Sequence, residues 1–250
     1  IRIYAQSAHN DGNTMDKRLI CIGGGELKTK ETLKIDGYIA ELAKTHAGEK
    51  RAYGLFIPTA SHDSMPYFNS FRKTYTSVYD IKADVALTVY GEMDLERIAE
   101  KFQKADFIYV GGGDTVFMLE HWKKSGMLEL IRDAYERGVI VCGLSAGAIC
   151  WFETMYSDSV QECGEGRYAL YPGLNWIKGI ISPHYGLRAL DFDKIISYNN
   201  KDAIGLEDNS AIEIVNGEIV RSISCGGSAY RIHGGGGRVS KEIIRPQLVL

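Results

Sequence analysis

The sequence predicts an α/β fold: a mostly parallel sheet with helices on both faces and antiparallel hairpin strands near the carboxyl terminus. Three observations carry that expectation. Short apolar runs that stop at Gly or Pro alternate with segments of helical spacing, as buried parallel strands and their crossovers do. Glycines follow three of those runs, at Gly23, Gly111 and Gly143. Late in the chain Asn216-Gly217 divides two alternating runs, a strong hairpin signal.

The elements follow in order. "RLICIG" (18–23) and "AYGLFIP" (52–58) read as strands. Between them Leu33, Tyr38, Ile39 and Leu42 are spaced as on a helix that ends near Gly48. Residues 64–79 read as helix once past Pro66, 83–90 and 106–110 as strands, and "DLERIAEKFQKA" as the helix joining those two. A glycine loop, a helix, a Ser-Gly turn and a second helix fill 111–138 and lead into a strand at 139–142. "AGAICWFE" can begin the next helix, "IKGIIS" reads as a strand before His184, and "RALDFDKIISY" reads as helix. Folds of this class place their chemistry in loops at the carboxyl ends of the strands.

Bulk properties bound the answer. A chain of 250 residues can bury roughly 75% of its unfolded surface in one domain, and nothing resembling a linker divides residues 15–250. The first 14 residues lack the apolar core of a signal peptide and read as a leader before Met15. A net charge of −3 gives no general attraction to nucleic acid or anionic membranes, and no apolar stretch reaches the length of a membrane span. Five cysteines without a C-x-x-C pair suit a reducing cytoplasm, free buried thiols and no structural zinc. "GGGELK" and "GGGDT" complete neither G-x-G-x-x-G nor a P-loop. The residues imply no metal and no cofactor.

One motif carries chemistry. Gly143-Leu144-Ser145-Ala146-Gly147 has the G-x-S-x-G form at a strand-to-helix junction. A serine on such an elbow takes a strained turn, so its neighbours two residues either side must be small. The turn exposes the hydroxyl and points the following N–H, that of Ala146, at a developing oxyanion. The plain alternative is a Gly-Ser turn shaped only for packing. Ser145 also needs a base and an acid. His184 follows one strand run and His233 ends another, while Glu207 and Asp208 follow "AIGL". "SHD" at 61–63 imitates a triad in letters only, because consecutive residues cannot converge, and His62 reads as a loop residue at the rim. His121 reads as lying on an exposed helix face. Two triads can be drawn: Ser145–His184–Asp208, and Ser145–Asp208–His233 in the order of α/β-hydrolases. The second requires further βα units where this chain turns to hairpins, so the first is preferred.

"VGGGDT", "GLSAG", "SPHYG" and "IGLED" in this order resemble the peptidase E family of aspartyl dipeptidases, which includes cyanophycinases; the similarity runs from about Arg18 to His233. "GGGE" and "IPTAS" resemble the cyanophycinase side, and the proline before His184 the dipeptidase side. The resemblance implies a fold similar to class I glutamine amidotransferase domains, with serine in place of cysteine. It implies Ser145 as nucleophile and His184 as base. The family's glutamate falls on Asp208 with Glu207 in place of the preceding proline, so the acid stays open between the two, and an older candidate falls near Asp158. It further implies an oxyanion hole from the Ala146 N–H with Gly112 or Gly113, a substrate contact at Asp114 where the dipeptidases carry asparagine, and a carboxylate-binding arginine at Arg188. Cys142 and Cys150 flank the elbow and are expected to face the core. The expected substrate is a small aspartyl peptide, Asp-Xaa, or else the β-linked Asp-Arg unit. An inactive binding protein of the same fold, monomer or homodimer, is the remaining reading.

Overall fold

A computed structural model describes residues 15–91, 93–158 and 168–248; the leader expected at 1–14 and Cys163 lie outside these. In chain order the elements are β1 (Arg18–Ile22), α1 (Leu33–Ala47), β2 (Tyr53–Ile57), α2 (Met65–Ser77), β3 (Lys82–Val85), α3 (Leu95–Lys104) and β4 (Phe107–Val110). Then come α4 (Thr115–Ser125), α5 (Met127–Glu136), β5 (Ile140–Leu144), the one-turn α6 (Ala146–Ile149), β6 (Phe152–Ser157), β7 (Ala169–Pro172) and β8 (Ile177–Ser182). The last are α7 (Tyr185–Ser197), β9 (Asp202–Leu206), β10 (Ser210–Val215), β11 (Glu218–Ser224), β12 (Ala229–Gly235), β13 (Arg238–Ile244) and β14 (Pro246–Leu248).

Among the described residues the strands form two sheets. The larger has the order β14-β11-β10-β1-β5-β4-β2-β3, the smaller β13-β12-β9-β8-β6-β7. The block β1-β5-β4-β2-β3 is parallel throughout. The β10–β11 hairpin adds to it through antiparallel pairing with β1. Its turn residues Asn216 and Gly217 both have positive φ, 51° and 86°, as a two-residue turn matching the strand twist requires.

Period-two alternation assigns the faces of the larger sheet. Leu19, Cys21, Leu55, Ile57, Ile108 and Val110 point to a core shared with Ile98, Met118, Trp122 and Ile131 of α3, α4 and α5. Their neighbours Ile20, Ile22, Phe56, Phe107 and Tyr109 point to the opposite face, against Ile35 and Ile39 of α1 and Phe71 and Tyr75 of α2. With both faces buried, each strand reads as a continuous apolar run, which is why these strands stand out in the sequence.

Two expectations shift. The strand expected over 83–90 ends at Val85, because the Val89 N–H donates to the carboxylate of Asp63 at 2.6 Å instead of joining a ladder. The helix expected after the elbow is a single turn. The carbonyls of Cys150 and Trp151 accept from Leu174 and Trp176, both at 2.8 Å, and the Trp151 indole donates to Gly147 O at 2.8 Å. These bonds stop the helix and release Phe152–Ser157 as a strand of the second sheet.

Candidate active site

The ends of β1, β5 and β4 are neighbours in the larger sheet. Those of β8 and β9 are parallel neighbours in the smaller one. The loops leaving these strands meet between the sheets.

Ser145 leaves β5 at φ 52°, ψ −108°, a conformation that costs about 1–3 kcal/mol for a non-glycine residue. Its N–H is anchored on Ile22 O at 3.0 Å. A Cβ on Gly143 would stand 2.3 Å from Gly147 O, and one on Gly147 would stand 2.2 Å from Val110 O. Both glycines are therefore demanded by backbone packing beneath the serine. His184 follows β8 in the left-handed region, with its N–H donating to Gly23 O at 3.0 Å.

The side chains then form a continuous line. His184 Nε2 lies 2.9 Å from Ser145 Oγ, and His184 Nδ1 lies 2.5 Å from Asp208 Oδ1. Glu207 turns the other way: its carboxylate accepts from the Ser228 N–H at 2.9 Å and the Tyr230 hydroxyl at 3.3 Å. Of the two neighbouring acids, it is Asp208 that meets the imidazole. Gly24 makes room for the pair, since a Cβ there would lie 1.9 Å from Asp208 Oδ1 and 2.4 Å from His184 Nδ1. Its carbonyl accepts from the Asn209 N–H at 3.0 Å, fixing the turn that carries Asp208. The glycine run after β1 was visible in the sequence; its contact with the acid–imidazole pair was not, because no local pattern encodes it.

The expected oxyanion residues border the serine. The Ala146 N–H is the first of α6 and has no acceptor within its own helix. Gly112 packs so closely that a Cβ there would be 3.4 Å from Ser145 Cβ, and its N–H donates to the Tyr67 hydroxyl at 3.2 Å. Gly113 holds φ 139° against Ala60 O, where a Cβ would come within 2.1 Å. Asp114 caps α4 by accepting from the Phe117 N–H at 3.1 Å.

The Arg188 side chain is 8% exposed and lies 3.6 Å from the Asp158 carboxylate. It also donates to Tyr156 O at 3.3 Å and stacks 4.6 Å from the Tyr168 ring. Asp158 therefore meets Arg188, and Asp208 meets His184. A groove of about 380 Å³ opens over Ser145 and His184, walled by Gly112, Gly113 and Tyr67 and bordered by the exposed Glu26 and Lys28.

The other histidines sit elsewhere. His233 pairs with Asp202 at 2.7 Å on the smaller sheet, and His46 with Asp106 at 3.0 Å. The His62 ring rests 4.2 Å from Phe117. His121, expected on an exposed face, is half-buried with its ring 5.9 Å from that same Phe117. Cys142 and Cys150 are fully buried, and burial pushes both thiols well above the ordinary cysteine range. They face the core and stay protonated, which leaves them poor nucleophiles.

The same chain is similar to known proteins over most of its length. An uncharacterized peptidase of Bacillus subtilis (strain 168), YgaJ, is 31% identical over 225 residues, covering 86% of this chain and 92% of the relative. Peptidase E of Salmonella arizonae is 27% identical over 188 residues, covering 68% of this chain and 76% of that protein. Among solved structures, a peptidase from an acI-B1 Actinobacterium superposes with a TM-score of 0.67 at 16% identity, over 92% of this chain and 95% of the other. A putative peptidase E protein from Listeria monocytogenes EGD-e gives 0.61 at 22% identity, over 84% and 98%. Among the described residues no helix is long and apolar enough to cross a membrane. The profile of peptidase family S51 matches residues 19–222. The chain belongs to peptidase family S51 and is a peptidase.

Proposed function

We propose that the chain is a serine peptidase acting on small aspartyl peptides, with Ser145 as nucleophile, His184 as general base and Asp208 as the acid that orients it. The observation that carries this reading is the unbroken line Ser145 Oγ–His184 Nε2 and His184 Nδ1–Asp208 Oδ1, at 2.9 and 2.5 Å, beneath a left-handed serine. His184 takes the Ser145 proton as Oγ attacks the scissile carbonyl carbon. The oxygen becomes an oxyanion that accepts from backbone N–H groups at Ala146 and in the Gly112-Gly113 loop. His184 then gives the proton to the leaving amine. Water, deprotonated by the same imidazole, attacks the acyl-enzyme, and collapse returns Ser145 and frees the acid. Glu207 serves the scaffold through Ser228 and Tyr230.

The aspartyl part rests on the motif resemblance and on the peptidase E relatives. Arg188 can read a substrate carboxylate only by exchanging Asp158 for it, whereas Lys28 already borders the groove as a solvated cation. One observation favours the β-linked Asp-Arg unit: Glu26 places a carboxylate on the same groove, a partner for an arginyl guanidinium. A cytoplasmic setting belongs to the same proposal and is supported by the free thiols of Cys21, Cys142, Cys150 and Cys225. So does a monomeric or homodimeric state.

The test is hydrolysis of Asp-Leu, β-Asp-Arg and Ala-Leu by wild type and Ser145→Ala. Asp-Leu turnover that vanishes in the variant supports the dipeptidase reading. Preference for β-Asp-Arg moves the substrate to the cyanophycinase class, and preference for Ala-Leu removes the aspartyl assignment. Lys28→Gln and Arg188→Lys then separate the two cations, because the one that reads the carboxylate costs Asp-Leu more kcat/KM than Ala-Leu.

A further inference from the structure

Gly112 packs against Ser145, and its N–H is already committed: it donates to Tyr67 Oη at 3.2 Å. A phenol that accepts in this way keeps its own proton to give, and among the described residues no acceptor for that proton is found. Tyr67 walls the same groove as Ser145 and His184. Burial pushes its hydroxyl up to about 12, so it stays protonated across the working range of a serine hydrolase.

The ring is held from several sides. A Cβ on Gly111 would fall 2.9 Å from Tyr67 Cε1, so only glycine lets the phenol lie over the loop. Phe56 meets the ring edge-on with centroids 5.0 Å apart. The backbone beneath is fixed where Ser64 Oγ accepts from the Tyr67 N–H at the start of α2. A donor locked before substrate arrives needs no reorganisation as charge develops, and that is the property a stabilising group for an oxyanion requires.

We propose that Tyr67 is a catalytic residue of this peptidase: its hydroxyl donates to the substrate oxyanion, and the Gly112 N–H acts through it by polarising the phenol. This revises the simpler hole: the Tyr67 O–H joins the Ala146 N–H in place of a direct contact from the Gly112-Gly113 loop, with the Gly112 N–H one bond further back. This inference rests on Ser145 being the nucleophile.

The test uses the full chain with Tyr67→Phe, which keeps the ring and its packing against Phe56. The substrate is whichever peptide wild type cleaves best, and a peptide boronic acid that forms a tetrahedral adduct on serine is the second probe. Loss of an oxyanion donor is expected to lower kcat by about 10²–10³-fold, with KM within about twofold. Boronate affinity should fall by a similar factor while product affinity holds, with Tm nearly unchanged. An unchanged or raised kcat overturns the proposal, since the phenol would then be a placeholder displaced by substrate. Equal losses in boronate and product affinity overturn it as well, by reducing Tyr67 to shaping the groove. Labelling with a fluorophosphonate distinguishes the two levels. If wild type is labelled at Ser145 and Tyr67→Phe is kinetically silent, only Tyr67 loses its role. If Ser145 is not labelled, the nucleophile reading fails and this proposal falls with it.

Discussion

Strand β9 carries an acid–imidazole pair at each end, and the two ends differ in what they face. At its start, Asp202 pairs with His233 at 2.7 Å, with side chains 82% and 50% exposed. Just past its end, Asp208 pairs with His184 at 2.5 Å, with side chains 43% and 26% exposed. By hydrogen-bond geometry alone the pairs are near equivalents. They separate because the carboxyl end of β9 meets the loops of the larger sheet, where Ile22 O and Gly23 O anchor Ser145 and His184. An imidazole held by a carboxylate is common; one that also touches the hydroxyl of a serine with a strained backbone sets this end apart, and the proposed triad rests on it.

That contrast can be broken or sharpened experimentally. Ser145→Ala should have the largest effect, lowering kcat/KM by about 10⁴-fold or more with the fold intact. A residual rate near wild type would mean that another group is the nucleophile. Next comes Asp208→Asn, expected to cost about 10³-fold by removing the charge that orients and stabilises the imidazolium; comparison with Glu207→Gln asks whether the neighbouring acid can substitute, and a larger loss in Glu207→Gln would reverse the assignment. Gly24→Ala drives a methyl to 1.9 Å from Asp208 Oδ1, so kcat should fall about 10–100-fold as the pair is pushed apart. A fully active Gly24→Ala would show the loop to be more yielding than its packing implies.

A third acid extends the comparison. The Asp36 carboxyl is fully buried and, among the described residues, accepts from the hydroxyls of Thr32 and Tyr75, at 2.8 and 2.9 Å. Burial raises its carboxyl to about 7. The folded state therefore binds a proton that the unfolded chain releases near pH 4, so this group's stability contribution is full below pH 4 and is lost as pH rises towards 7. The slope is at most about 1.4 kcal/mol per pH unit. Denaturation of Asp36→Asn against wild type should remove that slope; parallel curves would show that the acid stays charged. At the far end of the scale, His233→Ala should leave kcat/KM within about twofold, and a large loss there would revive the alternative base.

The parallel block was legible because strands buried on both faces lose their polar alternation, and glycine or proline marks where each stops. The elbow was legible because a Cβ at Gly143 or Gly147 would stand 2.2–2.3 Å from a backbone oxygen, which leaves room for glycine alone. The second sheet was harder to see. Phe152–Ser157 sits directly after a helical start, and what ends that start is the distant segment 174–177 taking its carbonyls. The ion pair of Arg188 with Asp158 was not legible for the same reason: it joins separate segments and leaves no periodic trace. Tyr67 reads as one aromatic among several on a helix until the fold brings its hydroxyl to Gly112.

The pairing of β1 with β10 sets a schedule for synthesis. Ile22 lies opposite Ala211, and the Gly23 N–H donates to Ser210 O at 2.9 Å. Strand β1 is thus flanked by β10, which follows it far along the chain, and the loop after β1 holds His184 in place. On the ribosome Ser145 emerges 39 residues before His184, which precedes Asp208 by a further 24. With the proposed triad, a growing chain carries Ser145 before the base that would activate it. On the proposed triad, competence waits until β10 has paired with β1, a delay that follows from strand order.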